Sequence, residues 1–351
     1  MPLPCGNTRA QHELHGGAHS RIYFSEYRSI PGGGGVQLIA GATGFIGGRL
    51  ARELGRRNVA CTALGRRSVA GMATRTAPLD DPAALRAACQ EAQTVFHCAG
   101  HAHAFAALLH SDAEQHWRVN FEGTRNLAEA AGQAGVQRFV FLSSVKAMAE
   151  PGELCADEDF PGAPETAYGQ AKRAAEEAVL EAGQQYGMHA VNLRLAMVYG
   201  SGGRGNLERM GKLVRRGLFP PLPETGNRRS LVHVDDVVAA MLWVAEDERA
   251  RGRTYIVAGP EAPSGRQLYD ALREALGLPP CRWSIPEAIL RGAARCGDGL
   301  EILCRRRVPL DSEAVARLLG SAWYSPACIA RELDWQATIS LKAGLREMFG
   351  C

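Results

Sequence analysis

The strongest constraint on the fold of this chain is a regular alternation of short apolar runs and helical patterns that begins at Val36. Short apolar runs bounded by glycine are typical of buried strands, and apolar residues three or four positions apart are typical of helices. Strands that alternate with helices form a parallel sheet covered on both faces. The sequence therefore predicts an α/β protein with a doubly wound parallel sheet, a plan that presents ligand-binding groups at the carboxyl ends of its strands.

After Tyr199 the alternation ends, because glycine and proline crowd residues 200–205 and 220–226, and short helical patterns follow from Arg266. Thr254–Val257 is predicted to be a strand that returns to the main sheet. The alternating part predicts nine elements, with strands and helices in turn: Val36–Gly41, Phe45–Arg56, Val59–Leu64, Pro82–Glu91, Thr94–Cys98, Ala113–Ala134, Arg138–Ser143, Thr166–Tyr186 and His189–Leu195.

These patterns divide the chain into three parts. Residues 1–35 are predicted to be a flexible tail, since they carry no periodic apolar pattern and end in a run of glycines. Residues 36–200 are predicted to form a Rossmann domain, with a returning segment near 231–260. Residues 201–351 are predicted to form mainly a smaller, mostly helical lobe that binds substrate.

Composition excludes several classes of protein. Of 351 residues, 46% are hydrophobic and 22% are charged, which is typical of a soluble globular chain. The net charge of +3 is too small to predict binding to nucleic acid or to an anionic membrane. No run approaches the roughly 18 apolar residues that a membrane-spanning helix needs. Ten cysteines without a CxxC pair indicate a reduced compartment, so a cytoplasmic location is predicted.

Histidines near the predicted third strand suggest a zinc site at first sight. His97, His101, His103 and His110 lie there, and the tail contributes three more histidines. No cysteine or carboxylate has a convincing spacing with either group. Packing and loop roles are therefore predicted for these histidines, and no metal site is predicted.

A glycine-rich turn joins the first strand to the first helix. Glycine allows a tight turn and a close approach of the backbone to a pyrophosphate, whose charge the free N–H groups at the start of the helix favour. Spaced glycines alone are a weak signal, but their place after the first strand of a βαβ series is the one that dinucleotide binding requires. The candidate cofactor-binding residues of this turn are Gly41, Thr43, Gly44, Phe45, Ile46 and Gly47.

The end of the second strand bears on the choice of dinucleotide. NAD binders usually carry an acidic residue there, whereas NADP binders tend to carry arginine near the extra phosphate. Here Arg66 and Arg67 follow Gly65, with no acidic residue close by. A solvated basic turn is the alternative interpretation. The pair favours NADP(H), with NAD as the other option.

A tyrosine and a lysine lie one helical turn apart at the start of the long predicted helix. Residues four apart share one face, so Tyr168 and Lys172 can serve one site. A phenol that acts as a base near neutral pH needs a lowered pKa, and both a lysine cation and a nicotinamide act in that direction. Ser144 follows the fourth strand, where its hydroxyl could contact a substrate oxygen and Tyr168 together, or simply belong to a turn.

Together these segments resemble the extended short-chain dehydrogenase/reductase superfamily, in its NAD-dependent epimerase/dehydratase branch. The resemblance runs from about Val36 to the C-terminus and places the motifs in the order of that family. These motifs are GATGFIG, VFHCAG, WRVNFEGT, FLSS, YGQAK, RLAMVYG and RRSLVHVDD.

The resemblance implies roles for particular residues. Tyr168 would exchange a proton with the sugar, Lys172 would hold the nicotinamide ribose and Ser144 would orient the substrate oxygen. The implied cofactor contacts are Ala99, Gly100 and Leu79, the last preceded by Pro78 where relatives carry an acidic residue. The implied substrate contacts are Asn120, Asn206 and Arg229, the arginine at the diphosphate. Relatives pair through two long helices, which makes a homodimer one option.

The resemblance also narrows the reaction. Dehydratases of this superfamily place Asp-Glu after the site hydroxyl, where this chain has Val145 and Lys146, so dehydration is disfavoured. The segments FVFLSSVKAMAE and NRRSLVHVDD resemble the branch that reduces UDP-4-keto-6-deoxy-hexosamines for surface polysaccharides. The main hypothesis is an NADPH-linked reductase of a nucleotide-bound 4-keto sugar. The alternatives are a nucleotide-sugar 4-epimerase with NAD, a hydroxysteroid- or flavonoid-type reductase, and a cofactor-sensing regulator without catalysis.

Overall fold

A seven-stranded sheet, parallel throughout, forms the centre of the computed structural model, which describes residues 35–101, 110–203, 205–304 and 311–350. Its strands are β1 (Val36–Ala40), β2 (Cys61–Gly65), β3 (Thr74–Thr76), β4 (Ala92–His97), β5 (Arg138–Ser144), β7 (His189–Leu195) and β10 (Thr254–Val257). The order β10-β7-β5-β4-β1-β2-β3 reverses direction between β1 and β4. The predicted doubly wound fold is confirmed, and ligands bind such sheets at this reversal.

Helices cover the sheet and fill the C-terminal part of the chain. The helices are α1 (Phe45–Arg56), α2 (Pro82–Cys89), α3 (His110–His116), α4 (Gly123–Gln133), α5 (Ala167–Tyr186), α6 (Asn206–Arg215), α7 (Val234–Glu246), α8 (Gly265–Ala275), α9 (Glu287–Cys304), α10 (Ser312–Leu319), α11 (Ala327–Leu333) and α12 (Leu341–Phe349). In the described ranges, no helix is long and apolar enough to cross a membrane.

Most predicted elements lie within a few residues of their observed bounds, and the differences are local. The helix predicted at Ala113–Ala134 consists of α3, a π-helical turn at Trp117–Glu122, and α4. β3 was not predicted, because a three-residue strand at the sheet edge is too short to show a period. Residues 1–34 of the predicted tail and His103 lie outside the described residues.

Two small parallel sheets connect distant segments of the chain. β6 (Cys155–Ala156) pairs with β11 (Trp323–Tyr324), and β8 (Met197–Tyr199) pairs with β9 (Leu231–His233). A second apolar core, separate from the core beside the main sheet, includes Leu272 and Leu345. The predicted domain division at residue 200 stays a prediction.

An arginine ties the first helix to the C-terminal part of the chain. Nη2 of Arg49 on α1 donates to Oδ2 of Asp235 at 2.6 Å and to Oε1 of Glu347 at 2.9 Å. Nε2 of His233 lies 2.8 Å from Oε2 of Glu347. His233, Asp235 and Glu347 lie close enough together to hold a cation, but the guanidinium already supplies the positive charge between the carboxylates. The helix that follows the glycine turn is therefore anchored to both α7 and α12.

We expect Arg49→Gln to lower the free energy of unfolding by about 1.5–3 kcal/mol, because hydrogen bonds to two charged groups are lost and the carboxylates are left side by side. Urea unfolding measures this change. The control is Arg56→Gln on the same helix, whose side chain is 74% exposed and pairs with Glu53; its effect should be about 0.5 kcal/mol or less. Equal effects from both variants would contradict the anchoring role of Arg49.

Candidate active site

The glycine turn brings the backbone of β1 against the end of β4. Gly41 has a φ of +85°, a conformation that favours glycine. A Cβ on Gly41 would lie 2.7 Å from the amide nitrogen of Ala99, and one on Gly47 would lie 2.3 Å from the carbonyl oxygen of Gly41. Gly44 N donates to this same oxygen at 2.9 Å. The turn is thus closed by backbone contacts that side chains would break.

The first turn of α1 fits a pyrophosphate. Gly44 is the N-cap residue and offers no side chain to the free N–H groups of the helix. Thr43 and Gly44 are exposed, while Phe45 and Ile46 are half-buried. Uncapped N–H groups and the positive end of the helix dipole favour a negative charge at this point. The residues present therefore fit the diphosphate of a dinucleotide.

Of the other residues expected near a dinucleotide, two are exposed and one packs against the core. Arg66 and Arg67 are exposed directly after β2, and no partner is seen for either guanidinium in the described part of the chain. Leu79 instead packs against the core: a Cβ on Gly123 would lie 2.9 Å from its Cβ, and its carbonyl accepts from Asn126. An adenine contact by Leu79 stays a prediction.

Tyr168 and Ser144 meet where α5 begins. Thr166 caps α5 by accepting from Gly169 N at 3.1 Å. A Cβ on Gly169 would lie 2.1 Å from the carbonyl oxygen of Lys146, so the helix starts in close contact with the turn that follows β5. This contact brings the Tyr168 phenol into hydrogen-bond reach of the Ser144 hydroxyl. The two predicted catalytic hydroxyls form one unit.

Lys172 is buried one turn further along α5. Its Nζ donates to the carbonyl oxygen of Leu142 at 2.8 Å and lies 4.5 Å from the centre of the Phe141 ring. Burial lowers the pKa of Lys172 to about 8, while the charge of Glu176 acts in the opposite direction. A Cβ on Gly100 would lie 3.5 Å from Nζ, which places the end of β4 beside the ammonium.

Burial dominates the electrostatics of Tyr168. It raises the pKa of Tyr168, and the Ser144 hydroxyl acts to lower it. The expectation that Lys172 lowers this pKa stays a prediction. Ser144 thus favours the phenolate as well as orienting the phenol.

The three predicted substrate residues occupy different environments. Asn120 is buried in the π-helical turn and bonds to protein groups. Asn206 is exposed at the start of α6. Arg229 is half-buried, and its Nη1 donates to the carbonyl oxygens of Gly320, at 3.0 Å, and of Arg317 at the end of α10. A diphosphate contact by Arg229 stays a prediction.

Sequence reasoning missed a buried ion pair behind the site. Glu176 lies one turn beyond Lys172, and its Oε2 accepts from Nη2 of Arg194 on β7 at 2.8 Å. Ser143 Oγ donates to Oε1 of Glu176 at 2.6 Å. The signal was Arg194, a charged residue in a segment predicted to be a buried strand, since buried charges need partners. The network fixes α5 against the strand that carries Ser144.

The NAD dependent epimerase/dehydratase family model matches residues 37–258, a range that contains the glycine turn, the Ser144–Tyr168 pair and Lys172. The chain belongs to this family. It is therefore an NAD(P)-dependent oxidoreductase or epimerase, and the catalytic machinery of the family is expected at these residues.

Three relatives indicate the range of reactions. UDP-glucose 4-epimerase of Vibrio cholerae is 26% identical, with 88% of this chain and 93% of the relative covered. Sterol demethylase protein B of Methylococcus capsulatus is 31% identical, with 81% and 88% covered. dTDP-4-dehydrorhamnose reductase of Streptomyces griseus is 32% identical, with 67% and 69% covered.

We expect Gly47→Ala to weaken dinucleotide binding about tenfold or more and to lower the free energy of unfolding by about 1–3 kcal/mol, since its Cβ would press against the Gly41 carbonyl. Gly55→Ala on the same helix is the control. A Cβ there meets open space, so this variant should bind dinucleotide normally and be more stable by about 0.4–1 kcal/mol. Fluorescence titration with NADPH and urea unfolding measure both effects. Normal affinity in Gly47→Ala would contradict the placement of the pyrophosphate.

Proposed function

We propose that this protein reduces the 4-keto group of a nucleotide-linked sugar with NADPH. The substrate class that fits the sequence resemblance is a UDP-4-keto-6-deoxy-hexosamine, a precursor of surface polysaccharides. The observation that carries the proposal is the close contact of the start of α5 with the turn after β5, which places Tyr168 beside Ser144 and near the buried ammonium of Lys172. The relative named as a reductase of a nucleotide-linked dehydro sugar supports the same chemistry.

The residues of the chain have separate roles in this reaction. Bound NADPH supplies the hydride that C4 of the sugar accepts. Tyr168 donates the proton to the C4 oxygen, and Ser144 holds this oxygen while stabilising the phenolate that remains. Lys172 holds the nicotinamide ribose. The glycine turn with Thr43, together with Ala99, Gly100 and the first turn of α1, would hold the rest of the dinucleotide.

The preference for NADPH rests on Arg66 and Arg67. Both guanidiniums are exposed beyond the end of β2, where a dinucleotide of a doubly wound fold places its adenosine ribose. A guanidinium binds a phosphate dianion in a bidentate manner. A reductase consumes the hydride in each turnover and must exchange its cofactor. Reductive metabolism mostly supplies NADPH, so this requirement also favours NADPH.

A 4-epimerase is the second candidate, favoured by the Vibrio cholerae relative, which matches nearly the whole chain. Such an enzyme returns the hydride to the sugar and benefits from a retained NAD. A hydroxysteroid-type reductase is the third, since a relative is named for sterol chemistry. Its main counter-argument was a diphosphate clamp at Arg229, and this guanidinium bonds to the carbonyls of Gly320 and Arg317 instead.

We expect the purified protein to oxidise NADPH when a UDP-4-keto-6-deoxy sugar is supplied, as followed by loss of nicotinamide absorbance. Tyr168→Phe should lower kcat about 10²–10⁴-fold, because the proton donor is lost. The control is Tyr186→Phe at the other end of α5, which should leave kcat unchanged. Absence of oxidation of either cofactor would contradict the reductase proposal; interconversion of UDP-hexoses without added reductant would establish the epimerase.

Replacing both arginines after β2 by alanine should raise the Kd for NADPH about tenfold or more, because charge-assisted hydrogen bonds to the extra phosphate are lost. The Kd for NADH should stay within about twofold, since it lacks this phosphate. The control is Arg56→Ala at the far end of α1, which also removes an exposed arginine. If the double variant Arg66→Ala/Arg67→Ala weakened both cofactors equally, the pair would have no role in choosing NADPH.

A further inference from the structure

A histidine ring packs against the candidate proton donor. His116 ends α3 and is 7% exposed. Its ring centre lies 5.4 Å from that of Tyr168, with the planes at 69°, an edge-to-face contact. On its other side, the ring of His101 lies 5.1 Å away. Sequence reasoning passed over His116, because its contact with Tyr168 appears only in three dimensions.

Asn120 fixes the orientation of this ring. The N–H of His101 donates to Oδ1 of Asn120 at 2.7 Å, and Nδ2 of Asn120 donates to the carbonyl oxygen of His101 at 2.9 Å. These two bonds set which end of the amide is the donor. Its remaining hydrogen therefore faces Nδ1 of His116, 3.2 Å away. Nδ1 of His116 is therefore the acceptor in this bond.

Most of the hydrogen-bonding capacity of the Asn120 side chain is used within the protein. Both hydrogens of Nδ2 and one acceptor site of Oδ1 are used by His101 and His116. The π-helical turn that contains Asn120 follows His116 directly, and π-helical turns are frequent at functional sites. The group that this amide presents to Tyr168 is thus a ring held in a single orientation.

We propose that His116 is a positioning residue for the proton transfer by Tyr168, with Asn120 fixing its ring and the ring limiting where the phenol can lie. The kinetic test of this inference rests on the proposed function; the structural test does not. The loss of a ring contact of this kind leaves the phenol free to move, and a displacement of about 1 Å can cost on the order of 10²-fold in rate.

Three substitutions separate the ring contact from the hydrogen bond. His116→Phe keeps a ring beside Tyr168 and removes the acceptor for Asn120. His116→Asn keeps an acceptor near the position of Nδ1 and removes the ring. His116→Ala removes both. Each variant is assayed for kcat, for KM, for the Kd of NADPH and for the solvent deuterium isotope effect on kcat.

We expect His116→Ala to lower kcat about tenfold or more, with the Kd of NADPH within about twofold and a larger solvent isotope effect, because the proton transfer becomes limiting. His116→Phe should recover most of kcat, and His116→Asn should not. Wild-type turnover in His116→Ala, or equal recovery by Phe and Asn, would overturn the proposal. If His116→Ala does not fold, the comparison of the other two variants decides.

A crystal structure of His116→Ala provides the readout that is independent of the reaction. The Tyr168 ring should be displaced or adopt more than one position, and an unchanged ring overturns the proposal. Kinetics use whichever of ketosugar reduction or UDP-hexose epimerisation the wild type catalyses, since Tyr168 transfers the proton in both. A wild type that catalyses neither contradicts the proposed function, while the position of the Tyr168 ring still tests His116.

Discussion

The close approach of α5 to the turn after β5 determines most of the site. With a hydrogen in place of a side chain, Gly169 lets the helix begin against the carbonyl of Lys146, and this contact places a phenol and a serine hydroxyl together. The buried pair of Glu176 and Arg194 holds the same helix one turn further on. The geometry of the candidate site depends on backbone packing supported by a charge pair, and both position the Ser144 and Tyr168 side chains.

Burial sets the electrostatic character of the site. Desolvation lowers the pKa of Lys172 and raises the pKa of Tyr168, so both groups move toward their neutral forms. His97 follows the same rule: burial lowers its pKa to about 3, and its Nε2 bonds to Thr124, which agrees with a packing role.

The sequence predicts the fold well because the relevant signals are local. The apolar run at Val36 predicts a buried strand and the helical period from Phe45 predicts a helix, each without information from other segments. β3 and β6 are too short to show a periodic pattern. The turn at Gly41 was also predictable, since only a few residue types allow it. Arg229 was different: its position in the chain matched a pattern, but its hydrogen-bond partners lie 88 and 91 positions further along the chain. Hydrogen-bond partners depend on the tertiary structure, so the periodicity of the sequence does not predict them.

The anchor at Arg49 has a consequence for the order in which the protein matures. Its acceptors lie 186 and 298 positions further along the chain, so the bond to Glu347 closes only after α12 has been made. Contacts across such spans carry a loop-closure cost and form late. During synthesis the elements made first can begin to fold first, while α1 keeps only part of its anchor until α12 docks. Docking of α12 is thus the step that completes the attachment of the helix after the glycine turn.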